Sequence, residues 1–275
     1  ATGFHGNSQR HRSCNLEIRH IKPRHVSNPN SLFLTPDSVL SSSLNSFCKM
    51  PSYVVVGASR GLGYTFLKVL AADPSNVVIG LVRDVVAVQK RLDEDGLTSV
   101  RVFKADVTNL DQLKAARASI EEIVGAVDYL ICNAAYKSRE AIVRNLAEFT
   151  DDLDFLETEI TKSYRVNVIG LINTITVFMP LVQRSSIKKI IALTSGMGSC
   201  DFVNQSGIDG GIPDSVSKAA LNMLVAKYNV TYKSEGVFVM GICAGSVDTF
   251  EGVKPSCKSF YVAYVLLLQL ISSSI

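Results

Sequence analysis

Residues 57–63, Gly57-Ala58-Ser59-Arg60-Gly61-Leu62-Gly63, directly follow an apolar strand-like run and open a segment with helical periodicity. Glycines at such a junction permit a tight turn and a close approach of backbone to ligand. The free N–H groups and dipole of the helix start attract negative charge, so the spacing reads as a cradle for a dinucleotide pyrophosphate. A glycine-rich turn with no ligand is the competing reading, and the strand–loop–helix context argues against it. A second cue stands about 20 residues further on, where an NAD site places an acid at the end of the next strand. Here Val82 is followed by Arg83. Arg83 with Arg60 can instead pair with a ribose 2′-phosphate through charge-assisted bonds, so the expected cofactor is NADP (as NADPH), preferred over NAD. Asp84 is the contrary charge beside them.

Other chemistries are excluded by what the chain lacks. All four histidines (His5, His11, His20, His25) lie in the first 25 residues, so a Ser-His-Asp hydrolase, a Cys-His protease or a His-ligated metal centre would need that segment to supply the ring. The six cysteines are widely spaced, with no CxxC pair. They read as reduced thiols of a cytoplasmic protein, with no metal site and no disulfide frame. A net charge of +3 among 275 residues gives no basis for nucleic-acid binding.

The elements that must carry these residues alternate from Met50 onward. Strand-like runs occupy Tyr53–Gly57, Val77–Val82, Val100–Phe103, Tyr129–Cys132, Lys189–Thr194 and Gly236–Ile242, and helical patterns occupy Leu62–Ala72, Val85–Leu92, Leu110–Val124, Leu153–Gln183 and Ser215–Tyr232. That order predicts an α/β fold, a Rossmann-type doubly wound parallel sheet with helices on both faces. The 18 residues from Gly196 to Pro213 read as a long glycine-rich loop.

The segments VVVGASRGLG (Val54 to Gly63) and DSVSKAALNML (Asp214 to Leu224) resemble the two signature stretches of the short-chain dehydrogenase/reductase family. The resemblance covers roughly Pro51 to Val253 and favours the carbonyl-reducing branch, whose members carry similarly long loops before the second signature. It implies cofactor contacts at Gly57, Ser59, Arg60, Gly61, Leu62 and Gly63, at Arg83, at Asp106 with Val107 on the adenine side, and at Asn133 with Ala134. Further contacts fall on Lys218 and, in the segment Cys243 to Thr249, on Val247 and Thr249. The departures are Val56 for threonine, Ala135 for glycine and Ala244 for proline. Alone, Asp106 would be read as a helix cap and Asn133 as a turn residue.

The family's chemistry is hydride transfer between a nicotinamide and a carbonyl or alcohol carbon of a small molecule. The resemblance puts Ser195 where a hydroxyl orients the substrate oxygen, Lys218 where an ammonium lowers a tyrosine's pKa and binds the ribose, and Asn167 where an asparagine holds a water on the proton path. Without it, Ser195 is a strand-end turn and Asn167 a buried helix kink. At the position of the proton-donating tyrosine, four residues before Lys218, stands Asp214. Aspartate is shorter, and its carboxyl has a reference pKa of about 3.9 against about 10 for the phenol, so at neutral pH it has no proton to give. An anion about 4 Å from an oxygen gaining negative charge costs of order 4 kcal/mol at an effective dielectric of 20. Losing general acid catalysis costs roughly 10²- to 10⁴-fold more. Of the other tyrosines, Tyr228 lies about 21 Å along the same helix, which leaves Tyr136 as the one substitute donor to test. Two readings follow: a carbonyl reductase of weakened activity, or a non-catalytic dinucleotide-binding protein acting as sensor or partner. A third is the product of a faulty gene model. By analogy with relatives, a homodimer or homotetramer is expected.

The ends differ from the middle. Residues 1–49 hold nine serines, six Lys/Arg and two acids without an apolar period. They are expected to be a disordered extension or upstream sequence, with Met50 the natural start and an organellar transit peptide the alternative. Residues 50–257 form the expected nucleotide-binding domain. Residues 258–275 are an apolar tail whose last 17 residues carry no charge. They fit a buried helix or sequence foreign to the fold, and only weakly a membrane anchor, which needs about 20 apolar residues. The family's substrate lid and last strand have no counterpart there, so the C-terminal part is expected to be truncated.

Overall fold

A computed structural model of the protein describes residues 50–245. The expectations for residues 1–49 and 258–275, and for Val247 and Thr249, fall outside the described residues.

Six strands, β1 (Ser52–Val56), β2 (Val77–Val82), β3 (Arg101–Lys104), β4 (Tyr129–Cys132), β5 (Lys189–Thr194) and β6 (Phe238–Cys243), form one sheet in the order β3-β2-β1-β4-β5-β6. Every pairing is parallel. A parallel sheet needs a crossover between neighbouring strands, and the intervening helices supply it on both faces. On β1 the alternation is clean: Val54 and Val56 enter one core cluster with α3 (Leu110–Val124) and α5 (Gly170–Gln183), while Tyr53 and Val55 enter another with α1 (Gly61–Ala71) and α2 (Val85–Glu94). Burial on both faces explains why the strands read as continuous apolar runs. The chain reverses its winding between β1 and β4. That is the switch point at which sheets of this kind open a crevice beyond the strands' carboxyl ends.

At the opposite end of β1 a buried carboxylate fixes the register. Asp128 accepts from Ser52 N–H (2.8 Å) and Ser52 Oγ (2.9 Å), and from Ser185 Oγ. Both buried oxygens thus have partners, as buried polar groups require.

The long helical stretch over Leu153–Gln183 is not uniform. α4 (Leu153–Ser163) passes through a π-helical turn, Tyr164–Ile169, into α5. Such turns widen a helix by one residue and re-aim the side chains they carry, here Asn167. The stretch from Gly196 to Pro213 also departs from the expected loop. Ser199 accepts from Phe202 N–H and starts a short helix, α6 (Cys200–Ser206), which Gly207 ends in the left-handed conformation. The next helix, α7 (Ile212–Tyr232), begins three residues earlier than its apolar pattern suggests, because Pro213 suits a first helical turn.

Candidate functional site

The glycine loop closes on the start of β4's exit loop. Gly57 has φ +80 and Gly61 φ +55, both left-handed. The Gly57 and Ala58 N–H groups both donate to Leu81 O, at 3.0 and 3.2 Å, so the loop is tied to the end of β2. Asn133 Nδ2 donates to Gly57 O at 2.8 Å, and a Cβ added at Gly57 would lie 2.6 Å from Ala134 Cα. Gly63 is equally enclosed by Gly57 O and Asn133 Nδ2. Asn133 and Ala134 therefore back the loop and fix its shape. α1 starts at Gly61 with no side-chain cap from Arg60, so its first-turn N–H groups, with Leu62 among them, are available to an anion. Ser59 presents its carbonyl to Arg91 Nη1 at 3.4 Å.

The second strand ends as the sequence implies, with Arg83 exposed. Asp84 accepts from Ala87 N–H at 3.0 Å and caps α2. The acid beside Arg83 is thus engaged as a helix cap. Asp106 accepts from Thr108 N–H (2.8 Å) and Thr108 Oγ1 (2.7 Å). Partial burial acts to raise its pKa, but the Thr108 bonds and the nearby Arg83 and Arg165 outweigh it and hold the carboxyl below its ordinary value. The α3 cap is Asn109. Val107 is buried against Gly170, and its carbonyl accepts from Asn173.

On the other side of the crevice Ser195 follows β5 immediately. Its Oγ accepts from Met197 N–H at 3.2 Å and caps the tight turn Gly196–Gly198. A Cβ at Gly198 would fall 2.6 Å from Lys218 C, and Asn222 Nδ2 bonds Gly198 O at 3.2 Å, so that turn is pressed onto α7. Lys218 is buried, with Nζ donating to Leu193 O at 2.7 Å. Burial lowers its pKa, Asp214 acts in the opposite sense, and Lys137 adds to the lowering. Asp214 is half-buried in the first turn of α7, one turn before Lys218.

Asn167 is fully engaged with the protein. Its Oδ1 accepts from Tyr136 N–H at 2.7 Å, and its Nδ2 donates to Tyr136 O (3.0 Å) and Ser217 Oγ (2.9 Å). Ser217 Oγ in turn donates to Asp214 O at 2.8 Å. The Tyr136 hydroxyl donates to Glu159 Oε2 at 2.7 Å, and Lys162 Nζ bonds Glu159 Oε1 at the same distance. Burial and this bond raise the phenol's pKa, so Tyr136 is held away from a donor's role. Sequence reasoning missed Glu159 and Ser217. A signal existed for Glu159, which shares the inward face of α4 with Leu156 and Ser163 at helical spacing.

A glycine turn between β1 and α1 on a doubly wound parallel sheet, with Ser195 at a strand end and Lys218 on a helix, marks the nucleotide-binding oxidoreductases of the Rossmann class. Residues 52–254 match the family model described as short chain dehydrogenase, and the chain belongs to that family. It is 39% identical over 212 residues to the short-chain dehydrogenase/reductase iacC of Pestalotiopsis fici, covering 75% of this chain and 78% of the relative. It is also 39% identical over 203 residues to the short chain dehydrogenase virK of Hypocrea virens, covering 73% and 75%. Among solved structures, the NADPH-bound carbonyl reductase from chicken fatty liver superposes with a TM-score of 0.68 at 24% identity, over 82% of this chain and 92% of that one. A metagenomic short-chain oxidoreductase in complex with NADP gives 0.61 at 22%, with the same coverage.

Proposed function

We propose that the protein binds NADP(H) in preference to NAD and belongs among the carbonyl reductases, with Asp214 at the position of the proton-donating tyrosine. The observation that supports this reading is a tightly backed glycine turn after β1 in a chain whose α7 carries a carboxylate one turn before Lys218. Gly57 is held against Asn133 and Ala134, as a backbone shaped for pyrophosphate requires, while the residue one turn before Lys218 is a carboxylate. Gly57, Ser59, Arg60, Gly61, Leu62 and Gly63 would hold the pyrophosphate end, Asp106 and Val107 the adenine, and Arg83 a 2′-phosphate. Arg83 is exposed, and its acidic neighbour Asp84 is engaged as a cap. Bound there, the nicotinamide supplies or accepts a hydride.

The chain's own residues do the rest. Ser195 donates its hydroxyl to the oxygen of a small carbonyl or alcohol substrate. Lys218, anchored by Leu193 O, keeps two N–H bonds for the ribose and the reacting oxygen. Asp214 replaces the phenol that would pass the proton, so reduction is slow. The expected outcome is saturable NADPH binding by fluorescence titration, little NADPH oxidation with a panel of ketones and aldehydes, and a gain of at least 100-fold in the Asp214→Tyr variant. Turnover by the unaltered protein equal to that of the variant would remove the case against Asp214. The second reading, a dinucleotide-binding partner or sensor without turnover, is favoured by the same carboxylate. It holds if Asp214→Tyr gains nothing while NADPH still binds.

Self-association is part of the proposal. Val216, Met223 and Val230 are 38%, 60% and 78% exposed on α7 at seven-residue spacing, a separation that keeps residues on nearly one side of a helix. Beside Val216 an apolar groove of about 860 Å³ is lined by Ile160, Tyr164 and Ile169. A second copy of the chain suits that surface. A cytoplasmic setting is in keeping with the free thiols of Cys132, Cys200 and Cys243, and fractionation of expressing cells checks it.

A further inference from the structure

We propose that the site also catalyses proton transfer at the α-carbon of ketones, with Asp214 as the base, Ser195 as the donor to the oxygen and Lys218 as the fixed cation. The inference rests on the reading above only for where the substrate's carbonyl lies.

Three observations carry it. First, the Asp214 carboxylate is half-buried and makes no hydrogen bond or ion pair among the described residues, where only the backbone carbonyl of this residue is engaged. A carboxylate committed to neither cap nor bridge keeps its oxygens for a substrate. Second, Ser195 Oγ accepts from Met197 N–H but donates to no group among the described residues, so its own proton is available to a substrate oxygen. Third, Lys218 is buried and spends one N–H bond on Leu193 O, leaving two. The three sit on two elements that pack against each other, α7 and the turn after β5. Asp214 and Lys218, four apart on α7, share a helix face about 5–6 Å apart. The turn that starts at Ser195 is pressed against Lys218 through Gly198.

A carboxylate hampers reduction and suits enolisation for the same reason. In reduction the substrate oxygen gains charge while Asp214 stays anionic, so two negative charges approach. In enolisation the charge moves from one to the other. Asp214 takes the α-proton, the C–H pair becomes the C=C bond, and the carbonyl π pair goes to oxygen, which Ser195 Oγ–H and the Lys218 ammonium hold. Asp214 then returns the proton to carbon and the carbonyl re-forms. Nothing is oxidised or reduced, and no co-reactant is needed. The substrate class is therefore a ketone with an activated α C–H. An aspartate base facing neutral-pH oxyanion donors is a workable pairing for that chemistry.

The test is deuterium incorporation into 2-tetralone, followed by proton NMR in buffered D₂O. The full chain is saturated with NADP⁺, so that no hydride is present. The expected result is exchange at the benzylic α-position at least 100-fold faster than with Asp214→Asn, in the range of a lost general base. Asp214→Glu should restore part of it and Ser195→Ala should lose it. Circular dichroism and cofactor titration confirm that each variant is folded. Exchange by the unaltered protein no faster than by Asp214→Asn, or none at all, overturns the proposal. NADPH titration separates the two claims: binding without exchange defeats only this inference, and exchange without binding defeats only the cofactor reading.

Discussion

Replacing Gly57 by alanine tests how the cofactor cradle is built, and a second glycine isolates the cause. Gly57 has φ +80, a conformation that costs an L-residue about 1–2 kcal/mol. The new methyl would also stand 2.6 Å from Ala134 Cα and 2.7 Å from Ala134 N. These are backbone atoms at the exit of β4 and cannot rotate aside, so β1 and β4 must part locally, an overpacking cost of about 1–3 kcal/mol. The sum is about 2–5 kcal/mol, or a fall in Tm of roughly 4–20 °C at 2–4 °C per kcal/mol for a domain of this size. Gly96 has nearly the same φ, +71, with nothing within 4 Å of an added Cβ. Gly96→Ala should therefore lose only the conformational part, about 1–2 kcal/mol, and bind NADPH unchanged. Gly57→Ala should lose at least tenfold in NADPH affinity as well. Calorimetry and fluorescence titration of the pair decide it. Equal Tm shifts in the two variants, with equal NADPH affinity, would show that the contact with Ala134 does not shape the site.

Charge reversal at Arg83 should cost NADPH a charge-assisted bond of about 1.5–3 kcal/mol, or roughly 10- to 100-fold in affinity. NADH binding should change less than threefold, and equal losses for both cofactors would remove Arg83 from the 2′-phosphate. Met223→Glu places a charge in the middle of the exposed apolar row on α7 and should shift the protein to monomer in light scattering at micromolar concentration. An unchanged mass would exclude this face as the contact. Glu159 is the group to follow in acid. Burial acts to raise its pKa, and bonds from Lys162, Ser138 and Tyr136 outweigh it, so the folded pKa lies below the ordinary 4.5. A depressed carboxyl stabilises fully above the unfolded pKa and loses that contribution as pH falls through the folded one. Urea unfolding below pH 4.5 should therefore steepen relative to Glu159→Gln, and parallel acid limbs would count against it.

The strands and the glycine loop were legible because their cause is local. A parallel strand covered on both faces must be apolar throughout, and Val54, Val55 and Val56 announce it. α6 was not legible, since its seven residues carry no apolar period and are set by one serine and one glycine at its ends. The network behind the site was hidden for another reason. Tyr136 meets Glu159 across 23 residues and Asn167 across 31. No spacing rule links such partners, and only the fold brings them together. Asn167 was singled out by the family pattern alone. Its complete engagement with Tyr136 and Ser217 depended on a π-helical turn that no composition signals.

On the proposed reading, the glycine turn and the residue at the donor position are held by different parts of the molecule, so one can change without the other. Gly57 and Gly63 are shaped by Asn133 and Ala134 at the ends of β1 and β4, whereas residue 214 sits in the first turn of α7. An acid in a first turn interacts favourably with the helix dipole, by about 0.3–1 kcal/mol at an exposed site. No described group makes a hydrogen bond or ion pair with the Asp214 carboxylate, and its influence is on the buried Lys218, whose pKa it acts to raise. Folding therefore loses no hydrogen bond or ion pair when this residue is replaced. On this argument Asp214→Tyr should be no more stable than the unaltered protein, and slightly less so where the dipole term is lost, while its reductase activity rises. Stability and turnover moving in opposite directions at a single residue is the pattern expected when a binding scaffold persists around an altered reaction centre.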